Sequence, residues 1–144
     1  MLNISGLNEG IVLDHIKPGM SLEIYYMLGL DKLDCQVAII KNARSQAMGR
    51  KDIIKIEGGL DLVDLDALGY IDHNITVNII RDNVVSEKKK LRLPKKIRGV
   101  IRCKNPRCIT SVEQELPQEF YLSDEATGTY RCIYCDEKAP AYRH

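Results

Sequence analysis

Along the front of the chain the apolar positions change period several times, and each change marks an element. Gly10-Ile-Val-Leu-Asp-His-Ile16 is an apolar, β-branched run that predicts a strand, stopped by Pro18-Gly19. Met20, Ile24 and Leu28 then recur at helical spacing with Tyr25 beside them. That predicts a helix with Ser21 as N-cap, Glu23 in its first turn and Gly29 at its end. Cys35–Ile40 predicts a second strand, residues 42–49 a polar loop, and Asp52–Glu57 a third strand closed by Gly58-Gly59. Asp61 is placed to cap a short helix carrying Leu62, Leu65 and Leu68, with Gly69 after it. Asn74–Ile80 predicts a fourth strand, and Val84-Val85 a short one that hairpins back through Asp82-Asn83.

The resulting order is β-α-β-β-α-β. Two such halves form an antiparallel sheet with both helices on one face, the ferredoxin-like arrangement. One face of that sheet is left without helices. Leu91–Gly99, with Pro94 and several basic residues, predicts a linker. Beyond it the apolar residues thin out, and short β stretches are expected near 112–115, 119–122 and 129–132. The expected class is therefore α+β, with a ferredoxin-like domain over residues 1–93 and a small all-β domain over residues 94–144. The first nine residues lack a period and predict a partly mobile arm, and residues 139–144 an unstructured tail.

Composition adds limits. The 144 residues carry a formal net charge of +1, so nothing pulls the chain as a whole toward nucleic acid or an anionic membrane. No apolar run approaches the roughly 20 residues that span a bilayer. There is no Trp, and Phe120 is the single Phe, so the core must rest on Ile, Leu and Val. With no signal peptide ahead of the chain, a cytoplasmic location is expected.

The strongest chemical signal is Cys103-Lys-Asn-Pro-Arg-Cys108 … Cys132-Ile-Tyr-Cys135. Two short knuckles joined by a loop of about two dozen residues suit a structural zinc site. Four thiolates on one Zn²⁺ leave a net negative charge, which Arg102, Lys104, Arg107 and Arg131 are placed to offset. A closed four-sulfur shell has no open position for substrate, so one zinc per chain would fold the domain and catalyse nothing. The competing reading is two disulfides in a secreted protein, which a reducing compartment disfavours.

Taken together, these features resemble the regulatory chain of aspartate carbamoyltransferase. Gly10–Ile16, Met48-Gly-Arg-Lys-Asp-Ile-Ile-Lys-Ile-Glu57, Thr76-Val-Asn-Ile-Ile80 and the paired knuckles follow that family's strings in order, over about residues 5–137. The resemblance implies a non-catalytic regulatory subunit in pyrimidine biosynthesis. Its N-terminal domain would bind CTP and ATP, and its zinc domain would dock on the catalytic chain. Regulatory chains would pair through their N-terminal domains, so that three regulatory dimers bridge two catalytic trimers.

Carried over by position, the resemblance places the nucleotide site at Val12, Asp14, His15, Lys55, Asn78, Ile80 and Lys88. Lys55 and Lys88 would meet phosphate, Asn78 and Ile80 ribose and base, and Val12, with Ile4 and Leu7, would close around the base. The chemistry agrees, because a triphosphate carries about four negative charges and lysine is a point-charge phosphate binder. Asn105, Arg107 and Asp136 would contact the catalytic chain. The segment after the fourth strand and the N-terminal arm depart from the family's usual strings.

On pattern alone several of these residues have plainer roles. Lys55 alternates with Ile54 and Ile56 as a solvated strand position would. His15 reads as a packed residue, and Asp14 and His15, being sequential, point to opposite sheet faces unless the strand ends there. Cys35 reads as an inert buried thiol. Arg50-Lys51 is either a second anion site or a charged loop. Arg92, Lys95, Lys96, Arg98, Arg102, Lys104 and Arg107 could instead form the basic patch of a zinc-ribbon nucleic-acid binder, but few aromatics interleave with them for base stacking. No nucleophile–base pair or phosphate loop suggests an enzyme.

Overall fold

The computed structural model describes residues 9–58 and 60–140. The chain divides into two compact units between Leu91 and Arg92. In the first, strands β1 (Glu9–Ile16), β2 (Val37–Ser45), β3 (Gly49–Glu57), β4 (Thr76–Arg81) and β5 (Val84–Lys90) alternate with helices α1 (Ser21–Met27) and α2 (Leu65–Ile71). The sheet order is β2-β3-β1-β4-β5 and every pair is antiparallel. This is the expected βαββαβ arrangement with a fifth strand added beside β4.

Cross-strand register explains the core. Ile11 lies opposite Ile56 and Ile79, and Leu13 opposite Ile54 and Val77. These six side chains share one sheet face, and none is more than 6% exposed. Ile24 of α1 and Leu68 and Ile71 of α2 are equally buried. Each such side chain contributes about 1.5–3 kcal/mol by leaving water.

The structure departs from the sequence expectations in several places. Residues 42–49 are not a loop, because β2 runs to Ser45 and β3 starts at Gly49, forming a long hairpin. The strand after Asp82-Asn83 runs through Lys90 instead of ending at Val85. Both turn residues have positive φ, as a tight right-twisted hairpin requires. Gly29 does end the α1 turn, in the left-handed region at φ 68°. Ser21, however, is the first residue of α1 and not its cap, and its hydroxyl donates to Asp52 of β3. Asp61 lies in a 3-10 turn, while Asp64 caps α2 by accepting the Ala67 N–H at 3.1 Å. Gly69 is buried inside that helix. Asp64→Ala is expected to cost about 1 kcal/mol, read as a lowered urea midpoint of the first unit.

The second unit holds a three-stranded sheet in the order β6-β7-β8, from β6 (Lys96–Arg98), β7 (Glu119–Asp124) and β8 (Thr129–Cys132). The expected linker therefore supplies a strand: Ile97 pairs with Phe120 and is 2% exposed. Residues 112–115 form no strand and follow a 3-10 turn at Ile109–Ser111. The core is small. Phe120, Ile97 and Tyr130 close over Cys108 and Cys132, and the Tyr130 hydroxyl donates to the Pro94 carbonyl at 2.6 Å. Ala139 is tied to Tyr130 by a backbone hydrogen bond, so order extends into the expected tail. Ile4 and Leu7 lie outside the described residues.

Candidate functional site

The sheet face opposite the apolar one carries a different chemistry. Register places Ala38, Lys55, Val12, Asn78 and Lys88 in one row across all five strands. Asp14 and Ile80 are two residues along on β1 and β4, and so share this face. Six of the seven positions named from the family strings are thus brought together by strand pairing alone. Lys88 is on this face. Lys89, opposite Val77, is on the other, where it pairs with Glu87 at 3.7 Å.

Lys55 is buried, with 6% exposure, and not the solvated position its alternation suggests. Burial holds its ammonium below the usual lysine pKa. Next but one in the row, the Asn78 side-chain oxygen is buried without a hydrogen-bond partner. An acceptor in that state costs about 1–3 kcal/mol and marks a place where a donor is missing.

His15, the seventh position, reaches the same face by a backbone device. Between Leu13 and Ile16, β1 carries one more residue than β3, and His15 takes φ 62° there. The bulge cancels the strict alternation that would separate Asp14 from His15. The Asp14 carboxylate accepts the His15 N–H at 2.7 Å, and the His15 Nδ1 lies 3.1 Å from the Thr76 hydroxyl, which stands opposite Asp14.

Lys51 was left undecided by the sequence, and its role emerges from the pairing. Its ammonium meets Asp14 at 2.8 Å, with both side chains less than one-fifth exposed. Asp14 is thereby neutralised and no longer repels an anion on this face. The face offers three lysines, 51, 55 and 88, of which the family strings named 55 and 88 and the strand pairing adds 51.

In the second unit the four knuckle cysteines converge. Their Sγ atoms all lie within 4.8 Å of one another. Cys103 and Cys135 are 3.5 Å apart, and Cys108 and Cys132 3.7 Å. A disulfide would need about 2.05 Å, whereas the edge of a tetrahedron with about 2.3 Å metal–sulfur bonds is about 3.8 Å. The donor set therefore fits one tetrahedral thiophilic ion. Burial pushes the Cys103 thiol up to about 12 and raises Cys132 as well. It opposes ionisation of Cys108 too, but hydrogen bonds from Thr110, whose hydroxyl is 3.1 Å from the sulfur, hold that thiol down to about 7. Metal ligation takes each cysteine in its thiolate form, which a bound cation favours against burial. The fifth cysteine, Cys35, lies apart before β2 and is half-buried rather than buried.

The knuckles are fixed by their own backbone. The Asn105 side chain accepts the Arg107 N–H at 3.0 Å, and its carbonyl accepts from the Cys108 N–H and the Ser111 hydroxyl. Asn105 thus shapes the first turn, while Arg107 stands exposed. Asp136 has φ 65°; its carboxylate accepts from the Tyr121 hydroxyl and its carbonyl from Arg131. Around the knuckles Ile109, Val112, Ile133 and Tyr134 are exposed by 51%, 76%, 41% and 36%. The sequence reading passed over these four, although apolar residues inside and just after a tight knuckle have no core within reach.

Comparison with known proteins agrees along nearly the whole chain. Residues 2–92 match the family model described as the aspartate carbamoyltransferase regulatory chain, allosteric domain, and residues 95–141 match its metal binding domain. An aspartate carbamoyltransferase regulatory chain from Clostridium botulinum is 53% identical over 137 residues, covering 95% of this chain and 93% of its own. The Clostridium tetani chain of that name is 50% identical over 137 residues, 95% of each. That of Bifidobacterium longum is 42% identical over 138 residues, 96% of this chain and 99% of its own. Among the described residues no helix is long and apolar enough to cross a membrane. The chain belongs to the aspartate carbamoyltransferase regulatory chain family, a regulatory and not a catalytic chain, with an allosteric domain followed by a metal-binding domain.

Proposed function

We propose that the polar sheet face of the first unit binds CTP and ATP, and that a structural Zn²⁺ in the second unit lets it dock on the catalytic chain. The observation that carries the nucleotide reading is the buried, unpartnered Asn78 oxygen in a row with Lys55 and Lys88. Both nucleotides have an exocyclic amino group and ribose hydroxyls that can donate to that oxygen. Lys55 and Lys88 supply positive charge for the phosphates, while Lys51 offsets the charge of Asp14. Val12 and Ile80, both buried, offer the apolar contact that a base needs.

Lys55→Ala is expected to weaken CTP and ATP binding to the intact chain by about tenfold or more, the equivalent of one charged hydrogen bond of roughly 1.5–3 kcal/mol. Isothermal titration reads this directly. Equal affinities in variant and parent would remove Lys55 from the site.

Zinc is the ion best suited to a closed four-thiolate shell in a compartment that keeps cysteines reduced, which goes with a cytoplasmic chain. When bound it supplies a crosslink and no reactive position. Ile109, Val112, Ile133 and Tyr134 are exposed apolar residues in and just after the knuckles, with Arg107 and Asp136 close by in sequence, and apolar side chains among polar ones are the composition of a docking surface. Asn105 contributes by holding the turn that displays Arg107.

Pairing of two regulatory chains fits the free edge of β2. Its Val37–Ile40 stretch is apolar and half-buried, whereas the opposite edge is charged through Glu87–Lys90. Size-exclusion chromatography with the catalytic chain, with and without zinc, tests docking. Carbamoyl-aspartate formation measured against CTP and ATP tests coupling.

A further inference from the structure

Among the described residues, Asp52 and Lys55 are the buried charged side chains. Lys55 belongs to the polar face. Asp52 is on the other, three residues earlier on β3, and is fully buried. Its carboxylate accepts four hydrogen bonds. These come from the N–H of Gly19 at 3.0 Å, the N–H and hydroxyl of Ser21 at 3.3 and 2.7 Å, and the N–H of Asn42 at 2.8 Å.

The position of Asp52 in the sheet is unusual. Both neighbours of β3 carry one extra residue at this level, β1 between Leu13 and Ile16 and β2 between Ile40 and Ala43. Each bulge contains a non-glycine residue in the left-handed region, His15 at φ 62° and Asn42 at φ 61°. Two such residues, one on each strand flanking β3, are costly for L-amino acids and persist only where surrounding bonds hold them. Asp52 binds the Asn42 N–H directly. It also ties down the turn that leaves β1, through Gly19 and Ser21. On the far face the β1 bulge decides where His15 stands. It brings His15 to the side of Asp14, which pairs regularly with Thr76, while Lys51, placed on that face by the unbroken alternation of β3, stands opposite Ala43 after the β2 bulge and reaches Asp14 with its ammonium at 2.8 Å. Losing the extra residue of β1 would turn His15 to the other face.

We infer that Asp52 is a positioning residue for the polar face: from the opposite side of the sheet it holds the paired bulges, and with the β1 bulge the placement of His15 beside the Asp14–Lys51 pair that faces a nucleoside triphosphate. The inference rests on the nucleotide-binding reading above. It adds a residue that touches no ligand.

The test uses the full-length, zinc-loaded chain, with CTP titrations and amide and imidazole NMR spectra of Asp52→Asn and Ser21→Ala. Ser21→Ala removes one of the four bonds and decides the matter alone if Asp52→Asn does not fold. The expected result has three parts. His15 and Asn42 resonances move in the ligand-free protein, core amides such as those of Ile11 and Val77 stay in place, and CTP affinity falls several-fold. A folded variant with unmoved His15 resonances and parental CTP affinity would overturn the inference while leaving Lys55 in its role. Failure of the parent chain to bind CTP would instead overturn the nucleotide reading, whatever His15 does.

Discussion

Stripping the metal with excess chelator is expected to unfold the second unit while the first keeps its sheet. Among its described residues the second unit buries Ile97, Phe120, Tyr130, Cys108 and Cys132 as apolar core. A unit of that size lies near the limit below which domains need disulfides or metals to fold. Structural zinc in small modules supplies on the order of 10 kcal/mol, more than so small a core can replace. Without the ion, two buried and two half-buried sulfurs are also left together, with Cys103 pushed up to about 12 mainly by burial. Hydrogen exchange of the intact chain is the suitable measurement. Amides of Phe120 and Tyr130 should lose protection, and those of Ile11, Leu13 and Ile79 should keep it. Persistent protection of Phe120 in chelator would mean that the cysteines do not fold this unit through a metal. Loss of binding to the catalytic chain should accompany unfolding, because the exposed apolar residues lie in and beside the knuckles.

The second large effect concerns Asp52. Asp52→Ala should destabilise the first unit by roughly 3 kcal/mol or more, since three N–H groups and a hydroxyl lose their acceptor where little water can replace it. A urea midpoint at neutral pH reads this loss. The same residue should leave an acid signature. Burial alone would raise its pKa, but hydrogen bonds from Ser21, Asn42 and Gly19 outweigh that and hold it below the ordinary value of 3.8. A carboxylate depressed on folding contributes stability that is fully present above the unfolded value. That stability is lost as the pH falls through the lower folded value. The parent chain should therefore lose stability in the acid range below the ordinary carboxylate pKa. Asp52→Asn should be less stable at neutral pH and flatter across that interval. Parallel pH profiles for the two proteins would show that Asp52 folds without a preferred charge state.

Some of this was legible one residue at a time. The Cys-x-Cys knuckles announced a metal centre because ligand spacing is local, and the strands at Gly10, Asp52 and Asn74 followed from β-branched runs bounded by turn residues. The helix around Leu65 was visible as a stripe, but its cap was misplaced at Asp61 because two aspartates precede it and only backbone geometry selects Asp64. Lys96–Arg98 resembled a linker because a three-residue strand has too few positions to show a period.

By itself, then, the sequence determined the order of elements in the first unit, the family strings and the four cysteines of the knuckles, all of which depend on neighbours a few residues away. The tertiary structure decided which residues stand side by side. It buried Lys55, left the Asn78 oxygen without a donor, joined Lys51 to Asp14 and gave Asp52 its four hydrogen bonds. The physical reason is that each of these depends on which strands pair and where a bulge shifts them. The alternation of apolar and polar residues favours a register within one strand, but it names neither the partner strand nor the place of a bulge.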